Sequence, residues 1–444
     1  MNRANDGTAG SGVNLLALRS HNAALVLELL RTAGDEGISR LELAERTGLT
    51  PQAVSKITAR LREDGLAAEA GRRASTGGKP RTVLRLVPDA GHAVGVHLDR
   101  DELRAVLVDL RGAVVRERRT ALDLGAGAEA VLGAVTEAVT GVLTDGRTAE
   151  PADGTALGSG RDGRLAGGRG RALPGGPDGK LPGGTLGDGK LPGGTLGDGK
   201  LPGGTLGDGK LPGGTLRSVA PGRGGGALLG VGVVLPGPLD HARGVLHRVT
   251  GFPEWDGFPL REALAGRLGV PVVVDKDTNA AALGLAVEGE AGSFAYLHLG
   301  TGLGAGLVIG GRVHRGARTG AGEFGHQVIQ LDGPPCGCGD RGCVEALCLG
   351  AVARGDIEEA ARVLGAGAAN LVGLLDIDLV LLGGRTVTSA PEPFLRGVGA
   401  VLAERARRTG QGVVPVRLAP GGGRAVAVGA AQLVLGPVFG RRAG

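Results

Sequence analysis

With 444 residues, 42% of them apolar and 21% charged, the chain is long enough for two or three domains with a sizeable core. It has no run of 18 apolar residues, and its start, MNRANDGTAGSGVN, lacks the apolar stretch of a secretory signal, so neither a membrane span nor export is expected and the cytoplasm is the expected location. Aromatics are 2%, too few for recognition by base stacking; the net charge of +5 is concentrated in residues 50–85, where eight Lys and Arg stand against three Asp and Glu, a patch suited to a polyanion.

Residues 1–20 are polar and Gly-rich and read as a flexible tail. Residues 21–88 read as a winged helix-turn-helix. AALVLELLR is apolar at helical spacing, and SRLELAERTG is a second helix with Ser39 as its N-cap and Gly48 at its end. Thr50 caps a third helix with Pro51 at its first position, where a missing N–H costs nothing. That helix, PQAVSKITARLREDG, buries Val54, Ile57 and Leu61 and exposes Gln52, Ser55, Lys56 and Arg60, types that reach base edges and phosphates in a major groove. LAAEAG and TVLRLV are two short strands around RRASTGGKPR, a slim cationic wing whose Lys79 and Arg81 fit a minor groove. The bland alternative is a small helical domain with a solvated basic face.

Residues 91–145 read as a two-stranded hairpin followed by a helix. LPGGTLGDGK then repeats at 181–190, 191–200 and 201–210. A ten-residue Gly/Pro/Asp period with two leucines per copy cannot bury a core, so residues 147–226 read as a disordered insert in a surface loop. Order resumes with the buried strand ALLGVGVVL, and VPVVVDKD, FAYLHLGTGLGAGLVI and DIDLVLLGG alternate with helices, ending in one from Ala425. This alternation predicts an α/β fold over 89–146 and 227–444.

Three of the four cysteines, Cys336, Cys338 and Cys343, fall within eight residues. In a reducing compartment this crowding points to a metal rather than to disulfides. A tetrahedral Zn²⁺ needs four N or S ligands; His326, ten residues upstream, is the candidate fourth. Four protein ligands leave no open position, so the zinc is expected to be structural. Cys348 reads as an ordinary buried cysteine.

GEFGH followed by CGCGDRGCVE resembles the signature of the ROK family (repressors, open reading frames and sugar kinases), and GVVLPGPLD, VVVDKDTNAAALG, LHLGTGLGAGLVIGG and VLLGG stand in that family's order. The likeness covers nearly all of the chain outside the repeats. It implies an actin-like, ribonuclease-H-like two-lobed domain that clamps a sugar between its lobes. It further implies that Asp277 stands where the kinases keep their general base, that Glu323, His326 and Glu345 bind sugar hydroxyls, and that the cysteines form a zinc knot shaping the pocket. Where the family has Asn, this chain has Lys276, which could pair with an acid or phosphate group of the ligand. Between Glu345 and ARVLGAGAANLVGLL fewer residues intervene than the family has, so helices of the larger lobe are expected to be missing.

The family's kinases carry Asp-x-Gly-x-Thr in the first hairpin; the equivalent positions here are His97, Asp99 and Asp101, and two added carboxylates repel nucleotide phosphates. The second phosphate turn, with Gly300, Thr301, Gly302 and Gly304, survives as backbone geometry. The expected function is therefore a sugar-responsive regulator, a repressor of carbohydrate-metabolism genes, binding a double-stranded operator as a homodimer. Two other readings stay open: an ATP-dependent sugar kinase with an attached DNA-binding domain, and a degraded or scaffold form.

Overall fold

The computed structural model describes residues 21–73, 81–144, 226–247, 249, 252–290 and 292–441. The expected tail, the tip of the wing with Lys79 and the repeat insert lie outside the described residues.

The amino-terminal module forms as its capping signals dictate. α1 (His21–Thr32) leads to β1 (Ile38–Ser39), α2 (Arg40–Thr47) and α3 (Pro51–Glu63). Ser39 closes a capping box: its Oγ accepts from Glu42 N at 3.3 Å while Glu42 Oε2 accepts from Ser39 N at 2.8 Å. Gly48 ends α2 at φ 69°, and Thr50 Oγ1 accepts from Ala53 N at 3.3 Å to start α3. Val54 and Leu61 are buried and Ile57 half-buried; Thr58 is also buried, its hydroxyl donating to Val54 O at 2.8 Å. β2 (Ala67–Arg73) and β3 (Arg81–Leu86) are the two expected strands, and β1 joins them as a third, pairing Ile38 with Leu84 and Ser39 with Val83. Two residues carry no periodicity, which is why β1 escaped the sequence reading. Ser39→Ala should cost about 1 kcal/mol, the usual worth of a side-chain cap; equal urea midpoints for variant and wild type would show that the box carries no weight.

The first lobe is a five-stranded sheet, β4 (Gly91–Leu98), β5 (Glu102–Asp109), β6 (Val114–Ala121), β7 (Ala227–Leu235) and β10 (Val272–Lys276), in the order β10-β7-β4-β5-β6. β4, β5 and β6 run antiparallel, and β7 and β10 add in parallel to β4. The expected hairpin thus has a third strand. β6, VVRERRTA, is a charged and half-exposed edge, the pattern that keeps an edge from pairing with another chain. α4 (Ala128–Thr144), α5 (Leu260–Leu268) and the small hairpin of β8 (Leu239–Asp240) and β9 (Val245–Leu246), which lies between β7 and α5, cover one face, with Val131, Val135, Leu264 and Trp255 in its core.

The second lobe repeats the plan. α6 (Asp277–Glu288) follows β10, and β11 (Phe294–Leu299), β12 (Leu303–Ile309) and β13 (Arg312–Val313) form an antiparallel meander. α7 (Val344–Ala353) runs within three residues into α8 (Ile357–Leu375). β14 (Leu379–Gly383) and β15 (Val416–Leu418) extend the sheet in parallel, with α9 (Arg385–Ser389) and α10 (Pro391–Thr409) between them, and α11 (Ala425–Leu435) closes the fold. α7, α8 and α10 pack on one face; α6 and α11 lie against both sheets. α11 approaches so closely that a Cβ on Gly232 or Gly429 would lie 1.9 Å from Ala430 O or Ala280 O, which only glycine avoids. The stretch Gly422–Phe439 is long and apolar enough to cross a membrane, but 67% of it is buried in this core, where its apolarity is spent.

Candidate functional site

The junction of β10 and α6 carries three polar residues in succession, of which Lys276 and Asp277 line the interlobe cleft while Asp275 is buried beneath it. Asp275, 2% exposed, accepts on Oδ2 from Arg315 Nε and Nη2, both at 2.8 Å, and on Oδ1 from Asn279 Nδ2 at 3.0 Å. Lys276, 4% exposed, donates from Nζ to Glu323 Oε1 at 2.6 Å and to Ala321 O at 3.0 Å. Its charge is therefore spent inside the protein, on the neighbouring acid. Asp277 opens α6, half-buried, with Oδ1 accepting from Thr278 N at 2.6 Å. A further tie, His241 Nδ1 to Thr319 Oγ1 at 2.7 Å, completes the clamp on the segment that carries Glu323. Sequence reading missed Asp275 and Arg315; the available signal was a carboxylate inside a buried strand, VVVDK, which has to find a cation.

Lys276, Asp277, Glu323, His326 and Glu345 line one cavity of about 70 Å³ together with Thr301, Gly302 and Gly304, and Gly300 adjoins it in the same turn. Glu345 accepts from Leu303 N at 2.8 Å through Oε2. Asp99, Asp277, Glu323 and Glu345 set four carboxylates against Lys276 and Arg100 along this lining, so the cleft is net acidic and rich in acceptors for hydroxyl donors.

His326 ends a short 3₁₀ turn, and its donor atoms and those of Cys336, Cys338 and Cys343 all lie within 4.8 Å of one another. His326 Nδ1 is 3.7 Å from Cys336 Sγ, and Cys338 Sγ is 3.7 Å from Cys343 Sγ. A tetrahedral zinc with sulfur at about 2.3 Å has edges of about 3.8 Å, which these two separations match, so the donor set is consistent with that metal. The loop is already folded tightly around it: Cys336 N donates to Asp340 O at 2.8 Å, and a Cβ on Gly342 (φ 65°) would sit 1.6 Å from Gln330 O. Cys343 occupies the N-cap position of α7, two residues before Glu345, and Glu323 lies three residues before His326, so both acids are close in sequence to the donor group. Cys348 stands apart, buried, with Sγ 3.4 Å from Ala360 O; burial and then the Glu345 charge push its thiol up to about 12, which leaves it inert.

The acidic β4–β5 turn and the glycine-rich β11–β12 turn meet at the other end of the cleft. Asp99 Oδ1 accepts from Thr301 Oγ1 at 2.6 Å and from Arg100 N at 2.8 Å, and Asp101 pairs with Arg385 at 2.8 Å. His97 is 8% exposed, and its Nε2 has no partner. Burial lowers its pKa, so it is neutral at pH 7 and no substitute for a metal-holding carboxylate.

On the DNA-reading module, Gln52, Ser55, Lys56 and Arg60 all stand exposed on α3, and Arg81 is exposed at the start of β3. Arg60 reaches Asp64 only at 4.0 Å, which leaves its guanidinium available to an anion. Lys79 is outside the described residues.

Residues 220–359 match the ROK family, and residues 25–67 match the winged helix-turn-helix DNA-binding family. The chain is 24% identical to a xylose repressor of Caldicellulosiruptor bescii over 75% of this chain and 64% of that one. It is 40% identical to a glucokinase of Thermotoga maritima over 26% of this chain and 38% of that one. The chain thus spans less than two thirds of the length of either relative. Among solved structures, a ROK family transcriptional regulator described as a homolog of the E. coli MLC protein superposes with a TM-score of 0.64 at 18% identity, covering 96% of this chain and 97% of that one. That likeness extends the shared fold over both modules.

Proposed function

From the match of residues 220–359 to the ROK family and of residues 25–67 to a winged helix-turn-helix DNA-binding domain, we propose that this chain is a sugar-responsive, DNA-binding transcriptional regulator, a cytoplasmic repressor of carbohydrate-metabolism genes. The observation that carries the reading is the exposed row Gln52, Ser55, Lys56 and Arg60 on a helix capped at Thr50, in one chain with an acidic, acceptor-rich cleft. α3 enters the major groove, and Lys79 and Arg81 follow the backbone or minor groove beside it. A sugar or sugar derivative lies between the lobes, its hydroxyls donating to Asp277, Glu323 and Glu345 beside His326. A structural Zn²⁺ on His326, Cys336, Cys338 and Cys343 supplies no chemistry and holds those acids in place. Ligand that prefers one lobe arrangement shifts the population away from the operator-competent state of a homodimer, whose two-fold axis calls for a two-fold operator.

The test is binding to duplexes selected from a random library, titrated against salt and a sugar panel. Lys56→Ala should reduce the logarithmic salt slope by about 1, and Arg60→Ala should weaken binding by about 1–3 kcal/mol. Salt-independent binding, or variants indistinguishable from wild type, would refute the reading. The half-buried Asp277 beside a retained glycine turn supports one alternative, an ATP-dependent sugar kinase in which Asp277 takes the proton of the attacking hydroxyl. ADP release with a hexose panel, abolished by Asp277→Asn, would favour it.

A further inference from the structure

The turn between β11 and β12 offers a hydroxyl, Thr301 Oγ1, and the first residue of α9 offers a guanidinium, Arg385 Nη1. Both belong to the second lobe, and their segments touch where Thr386 Oγ1 donates to Gly300 O at 3.4 Å. Paired donors of this kind, beside a tight glycine turn, are the chemistry of an anion seat. The first lobe fills that seat itself. Asp99 and Asp101 lie two residues apart on the β4–β5 turn, and each carboxylate takes one of the two donors, at 2.6 and 2.8 Å. Asp99 is held in its rotamer by the Arg100 amide at 2.8 Å. Burial raises its pKa, but the bonds from the Thr301 hydroxyl and from that amide help to offset this and the net shift is downward, so it stays ionised. Asp101 and Arg385 are both about half exposed, a pair of small weight by itself. The half-buried Asp99–Thr301 bond carries most of the tie.

We propose that Asp99 and Asp101 act as built-in anions: they occupy the seat formed by Thr301 and Arg385 and latch the two lobes together across the cleft, so that the seat accepts a free phosphate-bearing molecule only when they are removed. The proposal is independent of the regulatory reading, since neither DNA nor sugar enters it. A phosphate group arriving at the wild-type seat meets two fixed carboxylates and loses both donors to them.

The experiment compares full-length wild type with Asp99→Ala/Asp101→Ala by amide hydrogen exchange and by calorimetric titration with inorganic pyrophosphate. In the variant, exchange at Gly300 and Leu303, whose amides donate to Gly302 O and Glu345 Oε2, should rise at least tenfold, with the winged helix unchanged, and pyrophosphate should bind at least tenfold more tightly than to wild type. A second variant, Thr301→Val/Arg385→Ala, removes the other half of the latch; it should loosen the same amides without gaining pyrophosphate, and it serves as the test should the first fail to fold. Unchanged exchange at the turn in either variant, or pyrophosphate binding equally to wild type and Asp99→Ala/Asp101→Ala, would overturn the proposal.

Discussion

On the proposed zinc assignment, Cys338→Ser is expected to abolish metal binding and the response to ligand while leaving the amino-terminal module folded. Cys338 is exposed, whereas Cys343 is fully buried, so replacing Cys338 removes a ligand without opening a cavity. Structural zinc is worth about 10–16 kcal/mol in small peptides, and a variant that no longer holds it forfeits that binding free energy at the loop. The loss should be local. Residues between Gln327 and Cys343 are held by few long-range bonds, Val344 N to Gln327 O and Ile329 N to Gly342 O among them, and their exchange should rise first. Because His326 is both a donor and a neighbour of the cavity, and the knot sets Glu323 and Glu345, ligand affinity should fall with the metal. Zinc analysis after dialysis provides the check: one zinc per chain for wild type and for Cys348→Ala, none for Cys338→Ser. Wild-type protein without zinc would sink the assignment, as would loss of zinc in Cys348→Ala.

The second large effect is at the buried pair. Arg315→Ala leaves Asp275 with its Asn279 and Lys276 amide contacts but no cation, at a site only 2% exposed. Breaking such a pair from one side costs about 3–5 kcal/mol, because the remaining charge has lost water and partner together. Removing both charges is much cheaper, so Asp275→Leu/Arg315→Met should recover most of the loss. Urea denaturation of the three proteins decides this. If Arg315→Ala unfolds at the wild-type midpoint, the pair is incidental. The ligand site should respond as well, since Arg315 anchors the segment that ends in Glu323; sugar affinity should fall in Arg315→Ala even where the protein is fully folded.

Much of this architecture was legible before any coordinates. The caps Ser39 and Thr50, the stop at Gly48 and the stripe Val54, Ile57, Leu61 are local signals, satisfied within one or two turns. The cysteine spacing likewise announced a four-donor knot, and His326 was found because a tetrahedral ion demands one more soft or borderline ligand. β1 and β6 were not legible: the first is two residues long, and the second owes its place to pairing with β5 rather than to its own charged composition.

Local order, the division into a helical reader and an α/β body, and the residue types of the cleft were determined by the sequence alone, because they depend on neighbours a few positions away. Only the folded structure decided where the charges go. Lys276 reads as a hook for a ligand acid, yet it closes on Glu323, 47 residues on. Asp99 reads as a repulsive intrusion, yet it finds the hydroxyl of Thr301, 202 residues away. Gly422–Phe439 is apolar enough for a bilayer, yet it is covered by two sheets. The physical reason is common to all three. The free energy of a charge or an apolar face is set by whatever the fold brings against it, and that pairing is made by chain closure over hundreds of residues, which no local pattern encodes.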